Sequence, residues 1–127
     1  MSDVVNIPES FPIADSSLEY TPEDQTSYIV RRITGICMSV VRDPKRLSIL
    51  TTLRISGKMT FSGLRRVLST SSGNLISHLN LLAEKGFVSS SKGLQQGRVV
   101  SFYVITERGQ SELRAYLESL TQILEYI

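Results

Sequence analysis

The hydrophobic period of this chain changes twice, once at Gly86 and again at Thr106. From Thr26 to Gly86 the large apolar residues recur at three- and four-residue steps, as in helices that bury one face. From Phe87 they give way to a strand-like pattern that ends in Val99-Val100-Ser101-Phe102-Tyr103-Val104-Ile105, a β-branched and aromatic run. Beyond Thr106 the helical step returns and holds to Ile127. Helices on both sides of one ribbon leave a narrow choice of architecture, a mainly α, α+β fold with a small β-hairpin.

Local chemistry punctuates these segments. Thr26 or Ser27 is placed to cap a first helix whose stripe is Ile29, Ile33, Ile36, Cys37, Val40 and Val41. Asp43-Pro44 starts a second helix, carrying Leu47, Leu50 and Leu53, and Gly57 ends it. Thr60 opens a short third helix, Phe61 to Leu68, with Phe61, Leu64, Val67 and Leu68 inward. Residues 69–72 form a turn that also offers caps for a fourth helix, which buries Leu75, Leu79, Leu82 and Ala83 and stops at Gly86. Within the ribbon, the polar stretch from Lys92 to Arg98 reads as the hairpin loop. Thr106 caps the last helix, and Glu107 lies at its dipole-positive start. The expected organisation is an acidic, disordered arm over 1–25, a flanking helix over 26–42, a domain over 43–106 and a terminal helix over 107–127.

Charge follows the same division. Residues 1–27 carry six carboxylates and no Lys or Arg, a charge of −6. Residues 28–106 carry twelve Lys and Arg against Asp43 and Glu84, a charge of +10, and residues 107–127 return to −2. A central segment this basic points to a polyanionic partner. Other classes recede. Cys37 is the only cysteine, so neither an intrachain disulfide nor a cysteine zinc site is available. The one histidine, His78, rules out a multi-histidine metal cluster. No Gly-rich phosphate loop, paired carboxylates on an ordered element or nucleophile motif is present, so the chain is read as a non-enzyme with no catalytic residue, metal or cofactor. The N-terminus lacks the basic and apolar regions of a signal peptide, and no apolar run spans a bilayer. The expected location is the cytoplasm, with no membrane partner.

A short helix, a tight turn and a further helix closed by glycine form a helix-turn-helix unit, and the ribbon directly after it stands where a wing would. The residues then carry a resemblance. Asp-Pro-Lys-Arg-Leu-Ser-Ile-Leu (43–50), Met-Thr-Phe-Ser-Gly-Leu-Arg (59–65), Gly-Asn-Leu-Ile-Ser-His-Leu (73–79), Leu-Ala-Glu-Lys-Gly-Phe-Val (82–88) and Tyr-Val-Ile-Thr-Glu-Arg-Gly (103–109) resemble winged helix-turn-helix regulators of archaea and bacteria. The group is the MarR/ArsR-like one, and its small archaeal-type members add flanking helices to this domain. The resemblance covers residues 43–113. It implies transcriptional control by a homodimer bound to double-stranded DNA. It also implies a space between flanking helices and winged domain where a small-molecule effector sits in similar proteins; nothing in the sequence names one.

With Leu75, Leu79 and Leu82 inward, the helix over about 71–85 becomes the reader, and it presents Ser71, Ser72, Gly73, Asn74, Ser77 and His78. Asn pairs with adenine through two hydrogen bonds, Ser serves several bases, and the free N–H groups at the helix start suit a phosphate. Ser71 and Ser72 also read as plain caps. His78 reads equally as a packing residue at the core edge. Members of the group often carry Ser or Thr and then Arg just before this histidine, where this chain has Ile76 and Ser77. The commonest guanine reader is therefore missing. Arg65 and Arg66 on the short helix are placed for phosphates, with a solvated charge as the alternative for one of them. Lys92, Gln95, Gln96 and Arg98 around the wing, over about 92–98, are read as contacts to backbone or minor groove, or as a solvated loop.

The last helix repeats Leu113, Leu117, Leu120 and Leu124 at steps of four, three and four, a coiled-coil seam too short to stand alone. With Ile29, Ile33, Ile36 and Val40 it forms the expected dimer surface, the alternative being packing within one chain. Use of the same fold solely as a protein-interaction module in a larger assembly is the competing function. The positive charge around reader and wing favours DNA.

Overall fold

The computed structural model describes residues 22–127. The expectation for the acidic arm over residues 1–21 lies outside the described residues. In chain order the elements are α1 (Pro22–Met38), a 3-10 turn (Val40–Arg42), α2 (Pro44–Ser56), β1 (Met59–Thr60), α3 (Phe61–Leu68), α4 (Ser72–Glu84), β2 (Val88–Gln95), β3 (Arg98–Ile105) and α5 (Glu107–Leu124). They fall into two compact units, residues 40–115 and, of the described remainder, residues 22–39 with 116–127.

In the larger unit each helix starts on a side-chain cap. Asp43 Oδ2 accepts the N–H groups of Lys45 at 3.0 Å and Arg46 at 3.1 Å, and Pro44 occupies the first turn of α2. Thr60 Oγ1 accepts the N–H of Gly63 at 3.0 Å to begin α3, and Ser71 Oγ that of Asn74 at 3.2 Å to begin α4. Thr106 Oγ1 accepts the N–H of Gly109 at 3.0 Å to begin α5. Each such cap contributes about 1 kcal/mol. Between caps, Ile49, Leu50, Leu53, Leu64, Leu75, Leu79, Leu82, Phe87, Val88, Ile105 and Leu113 are buried. Burying one Leu or Ile side chain contributes about 1.5–3 kcal/mol, so this core dominates the unit's stability. Two inward assignments do not hold. Val67 is 57% exposed and Ala83 lies open on α4. Both sit at the edge of a stripe too narrow to reach them, since α3 has only eight residues and Ala83 is one step beyond Leu82.

The sheet differs from the expected two-stranded ribbon. β1 adds to it, pairing Met59 with Tyr103 and Thr60 with Phe102, so that the antiparallel order is β1-β3-β2. The wing is also more regular than its composition suggests. β2 and β3 pair without interruption from Val88↔Ile105 to Gln95↔Arg98. The loop placed over residues 92–98 shrinks to Gln96-Gly97, with φ of 53° and 78°. Two left-handed residues in succession match the twist of a tight hairpin, and Gly97 takes that conformation without Cβ strain.

The root of the wing is locked to α5. Thr106 Oγ1 donates to Gly86 O at 2.6 Å, and the Thr106 N–H donates to Phe87 O at 3.0 Å. Gly109 permits this approach, because a Cβ there would stand 2.2 Å from Phe87 O and 2.8 Å from Ile105 Cγ1.

The smaller unit corrects the reading of the first helix. Pro22, Glu23 and Asp24 form the first turn of α1, with the two acids favourably at its dipole-positive start, rather than the end of an arm reaching residue 25. Thr26 is not the cap but an interior residue whose hydroxyl donates to Pro22 O at 2.8 Å. The buried residues of α1 are Tyr28 and Arg32, not the isoleucine stripe. The Arg32 guanidinium donates to Ser119 Oγ at 3.4 Å and to Gln122 Oε1. The Tyr28 and Tyr126 rings lie 5.8 Å apart at 56°. Burial, followed by the neighbouring Tyr28 phenol and its hydrogen bond, pushes the Tyr126 hydroxyl above its ordinary pKa. Polar partners spaced across the chain thus decide which face of α1 turns inward.

Candidate nucleic-acid interface

The site grows out of the turn between α3 and α4. Ser69 adopts a left-handed conformation at the end of α3, with φ of 50°, and Ser71 then caps α4. With Leu75, Leu79 and Leu82 committed to the core, Ser71, Gly73, Asn74 and Ser77 are left exposed at the head of α4. Nothing lies within 4 Å of where a Gly73 Cβ would be, so the helix start is open to close approach. Ser72 is half-buried and accepts a hydrogen bond from Arg65 Nη1 at 2.9 Å. Arg65 is thereby held beside the free N–H groups of α4, and two sources of positive potential coincide. Arg66 is exposed one residue further on.

His78 does not join this surface. Its side chain is 16% exposed and turns toward the start of α2, with Nδ1 3.3 Å from Arg46 Nη1 and Nε2 3.9 Å from Asp43 Oδ2. A guanidinium only donates, so in that contact Nδ1 is the acceptor. His78 thus packs against the start of α2, the packing alternative read from the sequence. Asp43 feels opposing influences. Burial acts to raise its carboxyl, but the Arg46 N–H, the Arg46 guanidinium, His78 and the Lys45 N–H together hold it below the ordinary carboxylate value. This cluster ties α4 to α2, and its signal in the sequence was only the Asp43 cap.

On the wing, Lys92, Gln95, Gln96 and Arg98 are all exposed, but Lys92 and Arg98 belong to strands rather than to a loop. Lys92 Nζ donates to Ser101 Oγ across the ribbon at 3.1 Å, while Gln95 and Arg98 pair directly before the turn. Leu94 and Val99, also paired, expose an apolar spot beside them. A feature missed in the sequence is Lys58, whose Nζ lies 4.7 Å from the centre of the Phe102 ring.

The residues expected at a dimer surface divide between the units. Leu113 is buried within its own chain and so is no part of an open seam, while Val40 is half-buried at the start of the larger unit. In the smaller unit Ile29 and Ile36 are half-buried, and Ile33, Leu117, Leu120 and Leu124 are exposed, Leu124 by 67%. No helix of the described residues is long and apolar enough to cross a membrane.

A helix-turn-helix followed by a paired ribbon on a three-stranded sheet defines a winged-helix fold. The chain belongs to the winged helix DNA-binding domain family, whose model matches residues 45–124. It is 31% identical over 90 residues to an uncharacterised protein of Methanocaldococcus jannaschii, covering 71% of this chain and 98% of that one. The structure of a transcriptional regulator homologue from Pyrococcus horikoshii matches with a TM-score of 0.70 and 30% identity, over 75% of this chain and 95% of the other. A MarR family transcriptional regulator from Silicibacter pomeroyi shares the fold at 18% identity, with a TM-score of 0.55 over 84% of this chain and 78% of its own.

Proposed function

We propose that this chain controls transcription in the cytoplasm as a homodimer on double-stranded DNA, with the head of α4 in the major groove. The observation that carries the reading is the open start of α4 with Arg65 fixed beside it, within a segment of charge +10. Asn74 and Ser77 reach base edges, and the N–H groups at Ser72 and Gly73 meet a phosphate. Arg65 and Arg66 take neighbouring phosphates, and the wing sets Gln96, with Gln95, Lys92 and Arg98 behind it, against the backbone or minor groove. Phosphates position the protein and few strong base readers follow, so affinity exceeds discrimination.

The second copy covers Leu117, Leu120, Leu124 and Ile33, which are too apolar to favour water. Two reader helices then fall about 34–36 Å apart, one turn of duplex. A small-molecule effector acting on that arrangement is compatible with the fold. The test is selection of bound duplexes from a random pool, followed by titration in rising salt. We expect an enriched site and a log–log slope of about −0.9 per phosphate contacted. Absence of duplex binding, or an affinity indifferent to salt, refutes the reading.

A further inference from the structure

An open groove runs between α3, β1 and the wing. Lys58 and Arg66 both line it, together with Val67, Gln95 and Phe102. Its described lining holds two cations and no carboxylate, and neither cation is paired with an acid of the described residues. Arg66 follows Arg65, which is bonded to the head of α4, so the groove continues the positive strip that starts at the reader helix.

The groove is built rather than incidental. Lys58 is exposed, but its ammonium lies over the Phe102 ring at 4.7 Å. The ring in turn lies across Gly93 on the neighbouring strand, where a Cβ would stand 2.7 Å from Phe102 Cε2. Gly93 therefore lets Phe102 lie flat, and Phe102 fixes Lys58 beside Arg66. A lysine resting on an aromatic face has fewer conformations to lose when it meets an anion.

We infer that this groove binds the DNA backbone, with Lys58 as a phosphate contact that neither the reader helix nor the wing tip supplies. The inference rests on the DNA-binding reading above and extends its footprint past Arg66 along the same strand. Lys58 neutralises one phosphodiester, Arg66 the adjacent one, and Phe102 with Gly93 positions the lysine without touching DNA. The contact is blind to sequence, because a point charge meets a phosphate and no base edge.

The experiment compares wild type, Lys58→Gln, Lys58→Arg and Gly93→Val on one duplex across a salt series. Lys58→Gln should weaken specific and random duplexes by the same factor and make the slope of log affinity against log salt shallower by about one unit. Lys58→Arg should retain the wild-type slope, and Gly93→Val should weaken binding without removing the charge. Duplexes with single neutral methylphosphonate linkages supply the second readout. One linkage should weaken wild type while leaving Lys58→Gln unaffected. If Lys58→Gln matches wild type in slope while Arg65→Ala loses affinity, the groove is not a contact and the DNA-binding reading survives. A wild-type protein that binds no duplex overturns both.

Discussion

Replacing Gly109 by alanine separates two forces of opposite sign. Gly109 lies in the first turn of α5, where alanine is intrinsically better by about 1 kcal/mol. The fold says otherwise. The added Cβ would stand 2.2 Å from Phe87 O, 2.8 Å from Ile105 Cγ1 and 3.0 Å from Phe87 C, and two of these three atoms are backbone. Relief requires α5 to back away from the root of the wing by roughly an ångström, given that carbon pairs prefer about 3.5–4 Å. The Thr106 bonds to Gly86 O at 2.6 Å and Phe87 O at 3.0 Å lie across that gap and would stretch. Two hydrogen bonds at about 0.5–1.5 kcal/mol each, with overpacking of about 1–3 kcal/mol, outweigh the propensity gain. We expect a net loss of about 2 kcal/mol, which is a fall in Tm of about 5–10 °C for a chain of this size. Thermal melts at one fixed protein concentration measure it, since the Tm of a self-associating chain varies with concentration. A variant as stable as wild type, or more so, would refute the close approach.

Other outcomes follow from the same geometry. Asn74→Ala should cost about 1–3 kcal/mol on the selected site and flatten preference there, read by titrating matched and mismatched duplexes; an unchanged profile removes Asn74 from base reading. Leu117→Glu with Leu120→Glu should give a monomer in sedimentation with much weaker DNA binding, because burial of each leucine is worth about 1.5–3 kcal/mol and a carboxylate reverses it. A variant that stays dimeric contradicts that interface. Asp43 is held below its ordinary pKa, so its contribution exists above about pH 4 and is lost as pH falls through the lowered value. Asp43→Asn keeps a capping oxygen, so it should be less stable than wild type at neutral pH and converge with it in acid. Urea midpoints at both pH values decide this, and a gap that widens in acid counts against the ion-pair account.

The parts of the fold legible in the sequence are those governed by a few adjacent residues. Asp43-Pro44, Thr60, Ser71, Gly86 and Thr106 mark helix ends because caps and left-handed stops act within one turn. What depends on distant partners was not legible. Arg32 is buried because Ser119 and Gln122 meet it from 87 and 90 residues away, and no local pattern announces a buried arginine. β1 is two residues long, too short to show alternation. The first arm of the wing reads Val-Ser-Ser-Ser-Lys-Gly-Leu-Gln, with little strand propensity of its own, and its strand is imposed by pairing with β3. At the interface, exposure of Asn74 and Ser77 followed from the leucine spacing. The inward turn of His78 required knowing that α2 begins opposite it.

The two-residue turn at Gln96-Gly97 restricts how descendants of this protein can vary. Because side chains alternate between faces, one inserted residue in β2 or β3 would exchange every outward residue beyond it for an inward one. Phe102 and Gly93 would then no longer share a face with Lys58, and Leu94 and Val99 would no longer stand opposite each other. Matched additions, one residue on each arm and two at a time along a face, preserve the pairing that runs from Val88↔Ile105 to Gln95↔Arg98. Evolution of the wing's length is thus quantised: the ribbon grows or shrinks in even steps, and odd ones survive only where a bulge absorbs the extra residue.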